Sequence, residues 1–359
     1  MGVVGTGWWA TQQHIPGLIE YEHCDVVALA DRDPVNLRRA AEAFGIDRTY
    51  NDHHALLDAG DLDCLIVAVP HAYHYGIARD ALDAGLGVLV EKPMVLRASE
   101  AWDLVEKSTA RGLPLVVGYT LQFTRAAERT RRAIEGGEIG DVLLVSGLFA
   151  SMVQSFFRSR PADYADVFKF PLTGPKVDTY SDPAISGGGQ GQTQITHAMG
   201  MVLWATGSRA VEVHARMANV GLNVDLVDAI SYTLENGAIG TMAATGSVKP
   251  GQAEQLELRY YGSNGYVLQQ PLAGTLTVQC DGAAPEAFDT PPDEVYPARA
   301  TARCLVDLVR GVGENRAPAG PAAATVEFLE AAYRSAAENR PVRIDEPPLE
   351  PAIVRSPSP

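Results

Sequence analysis

The chain has 359 residues, of which 46% are apolar and 20% charged, with a formal net charge of −15. This length and composition fit a globular protein of two domains with real cores. The acidic balance leaves no footprint for nucleic acid or an anionic membrane, and no apolar run is long enough to span a bilayer.

The first element is a turn entered from an apolar strand, Val3-Val4-Gly5-Thr6-Gly7-Trp8-Trp9-Ala10. Only Met1–Val4 precede it, a short strand. No basic segment leading into an apolar core comes before it, so no signal peptide is expected. The next apolar run, 26–30, ends on Asp31. A G-x-G-x-x-A turn between strand and helix, followed by an acid after the second strand, is the pattern of a dinucleotide-binding βαβ unit. Gly5 allows the tight turn and Gly7 lets backbone N–H groups approach a pyrophosphate. The helix N-terminus adds partial positive charge. Asp31 is placed to accept from a ribose diol and to repel a 2′-phosphate, which favours NAD. Arg32 follows directly and leaves NADP possible.

Apolar runs at 25–30, 64–69, 87–90 and 113–117 read as buried parallel strands. Between them 35–44, 73–84 and 98–110 have helical periodicity, with Asp33 as a cap before Pro34. This is an α/β, doubly wound Rossmann domain over 1–118. From about 140 strands follow one another, at 142–149, 210–219, 229–235, 238–245, 255–261, 265–269 and 274–280. Asn236-Gly237 and Asn264-Gly265 mark tight hairpins. Helices are predicted at 122–135, 188–206, 299–312 and 321–338. The second domain, 119–345, is therefore an α/β unit with a large, open, mainly antiparallel sheet, expected to bind substrate and to self-associate. A Pro-rich tail occupies 346–359 and reads as extended or disordered. The stretch 151–186 is long and aromatic, with Phe156, Phe157, Tyr164, Phe168, Phe170 and Tyr180, and reads as an ordered loop over a cleft. Its Arg158, Arg160, Lys169 and Lys176 read as a solvated basic surface. The cysteines, Cys24, Cys64, Cys280 and Cys304, lack metal-ligand spacing, so reduced thiols, a cytoplasmic setting and no metal are expected.

Glu91-Lys92-Pro93 follows the strand at 87–90. The carboxyl ends of parallel strands line the ligand crevice, which puts Lys92 beside a nicotinamide. Together with Val69-Pro70-His71-Ala72-Tyr73-His74, Gly136-Gly137-Glu138-Ile139-Gly140, the glycines 187–189, His197 and Trp204-Ala205-Thr206-Gly207, this sequence resembles the glucose–fructose oxidoreductase and inositol dehydrogenase (Gfo/Idh/MocA) family. The resemblance covers nearly the whole chain.

It implies an NAD(P)-dependent dehydrogenase of a sugar, cyclitol or glycoside, with Lys92 and His197 acting at the reacting hydroxyl and a cis peptide before Pro93. It implies a cofactor site of Gly5, Gly7, Trp8, Trp9, Asp31, Arg32, Val69, Pro70, His71, His74, Glu91 and Lys92. Lys92, Tyr119, Tyr180, Gln190, Thr193, Gln194 and His197 would line the substrate pocket. It also implies a homodimer or homotetramer.

Two positions depart from the family pattern. Relatives often carry aspartates where this chain has Thr193 and Gly200. On an α-helix Thr193 would share a face with His197, so the geometry would survive and the carboxylate would not. His197, with an intrinsic pKa near neutrality, is the first choice for general base, and Lys92 would stabilise the developing alkoxide. Without the aspartate, Lys92 is itself a candidate base. Two other readings stay open: a redox-assisted lyase or glycosidase with tightly held NAD, and a non-catalytic dinucleotide sensor. Retention of Lys92 and His197 argues against the sensor.

Overall fold

The structure is a computed structural model that describes residues 1–170 and 172–346. All of the Pro-rich tail after Glu346 lies outside the described residues.

The first sheet has six parallel strands: β1 (Gly2–Val4), β2 (Ala28–Ala30), β3 (Thr49–Tyr50), β4 (Cys64–Val67), β5 (Gly87–Val90) and β6 (Leu115–Val117). Their order is β3-β2-β1-β4-β5-β6. The chain winds outward in both directions from β1, which opens a crevice at the carboxyl ends of β1 and β4. The strands β1, β2, β4, β5 and β6 are buried throughout because helices cover both faces, which explains their unbroken apolar sequence. Helix Pro34–Phe44 starts where the Asp33 carboxylate accepts from Val35 N and Asn36 N, and stops at Gly45 with φ of 67°. β3 and the helix His53–Asp58 are not anticipated by periodicity, since two residues of strand show no alternation.

The second sheet has nine strands: β7 (Val142–Ala150), β8 (Ala210–Ala218), β9 (Val227–Leu234), β10 (Ile239–Thr245), β11 (Gln255–Gly262), β12 (Gly265–Gln270), β13 (Thr275–Cys280), β14 (Glu286–Asp289) and β15 (Val342–Arg343). Their order is β14-β13-β12-β11-β7-β10-β9-β8-β15. Every pairing is antiparallel except β7 with β10. Alternate residues point inward to helices Arg125–Glu135, Thr196–Thr206 and Ala319–Glu338, forming a core with Phe328, Trp204, Tyr232 and Tyr260. The opposite face of the sheet carries no helix among the described residues.

Helix Ala300–Val309 returns to the first sheet and seals it with Ala302, Leu305 and Val306. The core of the first sheet is thus closed by residues remote in sequence. The described residues of the stretch 151–186 build a third small core, in which Phe156, Phe157 and Tyr164 pack on Val224 and Leu226. No helix among the described residues is long and apolar enough to cross a membrane.

Candidate active site

A cavity of about 1080 Å³ runs along the crevice at the end of the first sheet and under the 151–186 strap. That lies at the upper end of the ~300–1,000 Å³ usual for one small ligand, which fits a dinucleotide with a second molecule beside it.

At one end lies the glycine turn. Gly5 has φ of 95°, and a Cβ there would sit 2.3 Å from the Ala68 carbonyl oxygen. Only glycine fits this position. A Cβ on Gly7 would meet nothing within 4 Å, because Gly7 faces the open groove where a pyrophosphate would lie. Asp31 stands at the tip of β2, with Oδ2 accepting from Thr6 N at 2.7 Å and Thr6 Oγ1 at 2.8 Å, and Oδ1 from Asp33 N at 2.8 Å. These bonds fix its carboxylate beside the groove. Arg32 is exposed and lies over the Tyr73 ring.

The strap closes over this groove at several points. Lys176 pairs with Asp33 at 3.1 Å, Gln12 donates to the Phe168 carbonyl at 2.7 Å, and Trp8 packs among Phe156, Phe168 and Phe170. Trp8 Nε1 lies 3.4 Å from the Tyr180 hydroxyl. His71 Nδ1 contacts the Ser186 carbonyl at 2.8 Å. Both ring nitrogens of His74 face carbonyls, Pro93 at 2.9 Å and Val69 at 2.8 Å, so this side chain braces the loop after β5. Burial keeps the His71 and His74 imidazoles below their ordinary pKa.

At the other end β5 delivers Glu91 and Lys92, and the Lys92–Pro93 peptide is cis. Glu91 is buried. His14 Nε2 lies 2.8 Å from its Oε1, Trp9 Nε1 donates to the same oxygen at 3.0 Å, and the Lys92 amide donates to Oε2 at 3.1 Å. Burial alone would raise its pKa, but His14 and Lys92 outweigh that and hold the carboxyl below its usual range. Gly118 makes room for it, since a Cβ there would fall 2.6 Å from Oε2.

Lys92 Nζ donates to the Thr193 carbonyl at 3.0 Å. Burial lowers its pKa from 10.5 to about 8, against the opposing pull of Glu91. His197 lies on helix Thr196–Thr206. Its Nδ1 is buried without a hydrogen-bond partner among the described residues. Burial, with the charge of Lys92, holds it well below its usual 6.5.

The geometry corrects three sequence expectations. The predicted helix at 188–206 begins only at Gly191, and it begins as a wide π-turn over Gly191–Ile195. Thr193 makes no hydrogen bond to His197, although both line the cavity. Its hydroxyl donates back to the Gly189 carbonyl at 2.8 Å. Tyr119 does not line the cavity. Its ring is buried behind helix Thr196–Thr206, with its hydroxyl 2.9 Å from Thr196 Oγ1. That ring also occupies the space beside Gly200, where a Cβ would lie 3.0 Å from it, so an aspartate there would require the ring to move. Gln190 is fully buried: its amide donates to the Phe149 carbonyl at 3.3 Å and its oxygen accepts from Ser151 Oγ at 3.1 Å. It holds the wall and cannot reach a substrate.

Tyr180, Thr193, Gln194 and His197 do line the cavity, as do Val69 and Pro70. Tyr296, Glu254 and Leu272 line it as well. Nothing in their local sequence marks them, because they come from turns far along the chain. At the rim, His53, His54 and Asp80 bring three possible ligand atoms within 4.8 Å of one another, although Asp80 Oδ1 already holds Arg79.

The profile of the oxidoreductase family with an NAD-binding Rossmann fold matches residues 1–119, and that of the GFO/IDH/MocA C-terminal domain matches 127–268. The chain belongs to the GFO/IDH/MocA family. Residues 1–119 are its NAD-binding Rossmann domain.

Among curated relatives of this GFO/IDH/MocA chain, D-apiose dehydrogenase of Paraburkholderia graminis is 31% identical over 138 residues, which is 38% of this chain and 36% of the relative. Inositol 2-dehydrogenase of Burkholderia vietnamiensis is 33% identical over 148 residues, 40% of this chain and 44% of the relative. The matches thus span less than half the length of these relatives. Among solved structures, GenD2 from gentamicin A biosynthesis in complex with NAD superposes with a TM-score of 0.77 at 26% identity, covering 96% of each chain.

Proposed function

We propose that this protein is an NAD-dependent dehydrogenase that oxidises a secondary hydroxyl of a sugar, cyclitol or glycoside. The observation that carries the reading is Lys92: a half-buried amine with a pKa of about 8, tethered to the Thr193 carbonyl and sharing one cavity with His197. Relatives named as D-apiose and inositol dehydrogenases, and a structural neighbour solved with NAD, support it. When bound, the nicotinamide supplies the hydride acceptor.

The residues then divide the remaining work. Gly5, Gly7 and Asp31 hold the dinucleotide, and Trp9, His14 and Glu91 form the rigid floor that presents Lys92. The bond to Thr193 takes one N–H of the amine and aims the nitrogen into the cavity. In its neutral form Lys92 accepts the proton of the substrate hydroxyl as the adjacent C–H is lost as hydride. His197 is neutral at physiological pH and has no carboxylate to support an imidazolium, so it hydrogen-bonds the substrate oxygen and leaves the proton to Lys92. Gln194 adds donor and acceptor capacity for neighbouring hydroxyls.

The strap favours a second reading. Its contacts across the groove, from Lys176, Phe168 and Tyr180, would slow cofactor exchange and suit a redox-assisted lyase or glycosidase that regenerates its NAD in each turnover. A screen of polyols, sugars and glycosides with NAD and NADP separates the two. Net NADH formation is expected. Bond cleavage without NADH would establish the second reading, and absence of NAD binding would refute both.

A further inference from the structure

Gly189, Gln190 and Gly191 present three successive backbone N–H groups to a single residue. Gly189 N donates to Asp225 Oδ1 at 2.7 Å, Gly191 N to Asp225 Oδ2 at 2.7 Å, and Gln190 N to the Asp225 carbonyl at 2.9 Å. A helix start leaves its first N–H groups without internal partners. Here the N-cap residue, Gln190, makes no side-chain cap bond, and the cap comes from the approach to β9. The Tyr333 hydroxyl, on helix Ala319–Glu338, completes the clamp by donating to Asp225 Oδ1 at 2.8 Å.

The clamp explains the glycines. A Cβ on Gly189 would lie 2.0 Å from the Asp225 carbonyl oxygen, one on Gly188 2.1 Å from the Tyr333 hydroxyl, and one on Gly191 2.6 Å from the same hydroxyl. It also leads to the chemistry. The Gly189 carbonyl accepts from Thr193 N at 2.9 Å and Thr193 Oγ1 at 2.8 Å, and the Thr193 carbonyl receives Lys92. Asp228 lies beside the clamp, also buried. Burial and the neighbouring Asp225 push its carboxyl up to about 9, so Asp228 stays neutral beside the helix start.

We propose that Asp225, assisted by Tyr333, is the positioning residue of the active site: its carboxylate sets the height of 189–193 and thereby the partner and environment of Lys92. The proposal rests on the reading of Lys92 as the proton carrier. Its test needs a readout that does not require substrate. Acetylation of Lys92 by acetic anhydride, followed across pH by peptide mass spectrometry in the full-length protein, gives the midpoint of that amine. The wild type should titrate near 8.

In Asp225→Asn the segment loosens and admits water, and the midpoint should rise by a unit or more toward 10.5. The rate constant kcat should fall by ~10²-fold, the scale of a 1 Å misplacement, while the Kd for NAD stays within about twofold. Tyr333→Phe, which removes one hydroxyl and keeps the ring, should move both readouts the same way by a smaller amount. It should also partly rescue Gly191→Ala, because the nearest remaining ring atom would lie 3.1 Å from the new Cβ.

Should Asp225→Asn fail to fold, Tyr333→Phe and the rescue carry the test. Wild-type turnover with an unchanged Lys92 profile and kcat in both variants would overturn the proposal and leave the dehydrogenase reading standing. A wild type that turns over nothing, while the Lys92 midpoint still moves in the variants, would support the positioning and remove that reading.

Discussion

At the scale of single residues, the site is defined by how burial shifts two bases apart. Lys92 is lowered to about 8 and His197 lies well below 6.5, so only Lys92 changes charge near the working range. Oxidation should therefore rise with pH through an apparent pKa near 8 as the ammonium loses its proton. Lys92→Ala should abolish that limb and cost ~10²–10⁴-fold in rate with NAD affinity retained, and His197→Ala should lower the rate but keep the limb. The reverse pattern would make His197 the base. Because the Glu91 charge raises the Lys92 pKa, Glu91→Gln should move the limb below 8; a shift upward would refute the electrostatic assignment. At the other end of the groove, Gly7→Val fills space that is empty of protein and should block NAD, measured by fluorescence quenching. Asp31→Ala should weaken NAD and relax discrimination against NADP. A wild type that prefers NADP would remove Asp31 as the selector.

At the scale of elements, legibility followed periodicity. The strands β4, β5 and β6 and the helices between them were readable because a buried parallel strand is an unbroken apolar run and a covering helix has an apolar stripe. The Asp33 cap and the Gly5–Gly7 turn were readable because their chemistry is local. What escaped depended on distant partners. The π-turn at Gly191–Ile195 has no local signature, since Asp225 and Tyr333 hold its glycines and come from 34 to 142 positions away in the chain. Tyr119 and Gln190 were misplaced because the partners that bury them, Thr196 for the first and Phe149 and Ser151 for the second, lie 39 to 77 positions away in the chain. Helix Ala319–Glu338 shows what such distant contacts hold together. Phe328 is fully buried against Tyr232 with ring centroids 5.4 Å apart, in the core that backs the clamp. Phe328→Ala should cost about 3–5 kcal/mol in urea unfolding. A loss under about 1 kcal/mol would show that the helix is not anchored there.

At the scale of the whole molecule, the nine-stranded sheet covers one face with helices and leaves the other open. The register places Tyr261 opposite Leu144, Leu144 opposite Ile239, and Ile239 opposite Thr233, so one row crosses β11, β7, β10 and β9. Three of those four side chains are large and apolar, and they remain 36%, 39% and 59% exposed. Val227 and Leu143 add to the exposed apolar area on the same strands. A contiguous apolar patch on a sheet face is what a monomer avoids and an interface uses. The chain should therefore self-associate as a dimer or tetramer through this face, and light scattering at micromolar concentration should return a multiple of the 38.4 kDa chain mass. Ile239→Lys puts a charge at the centre of the row, where it would be buried unpaired in an assembly and solvated in a monomer. It should shift the mass toward the monomer while far-UV circular dichroism is retained. A wild type that scatters as a monomer, or an Ile239→Lys variant that assembles normally, would show that the open face is not the contact.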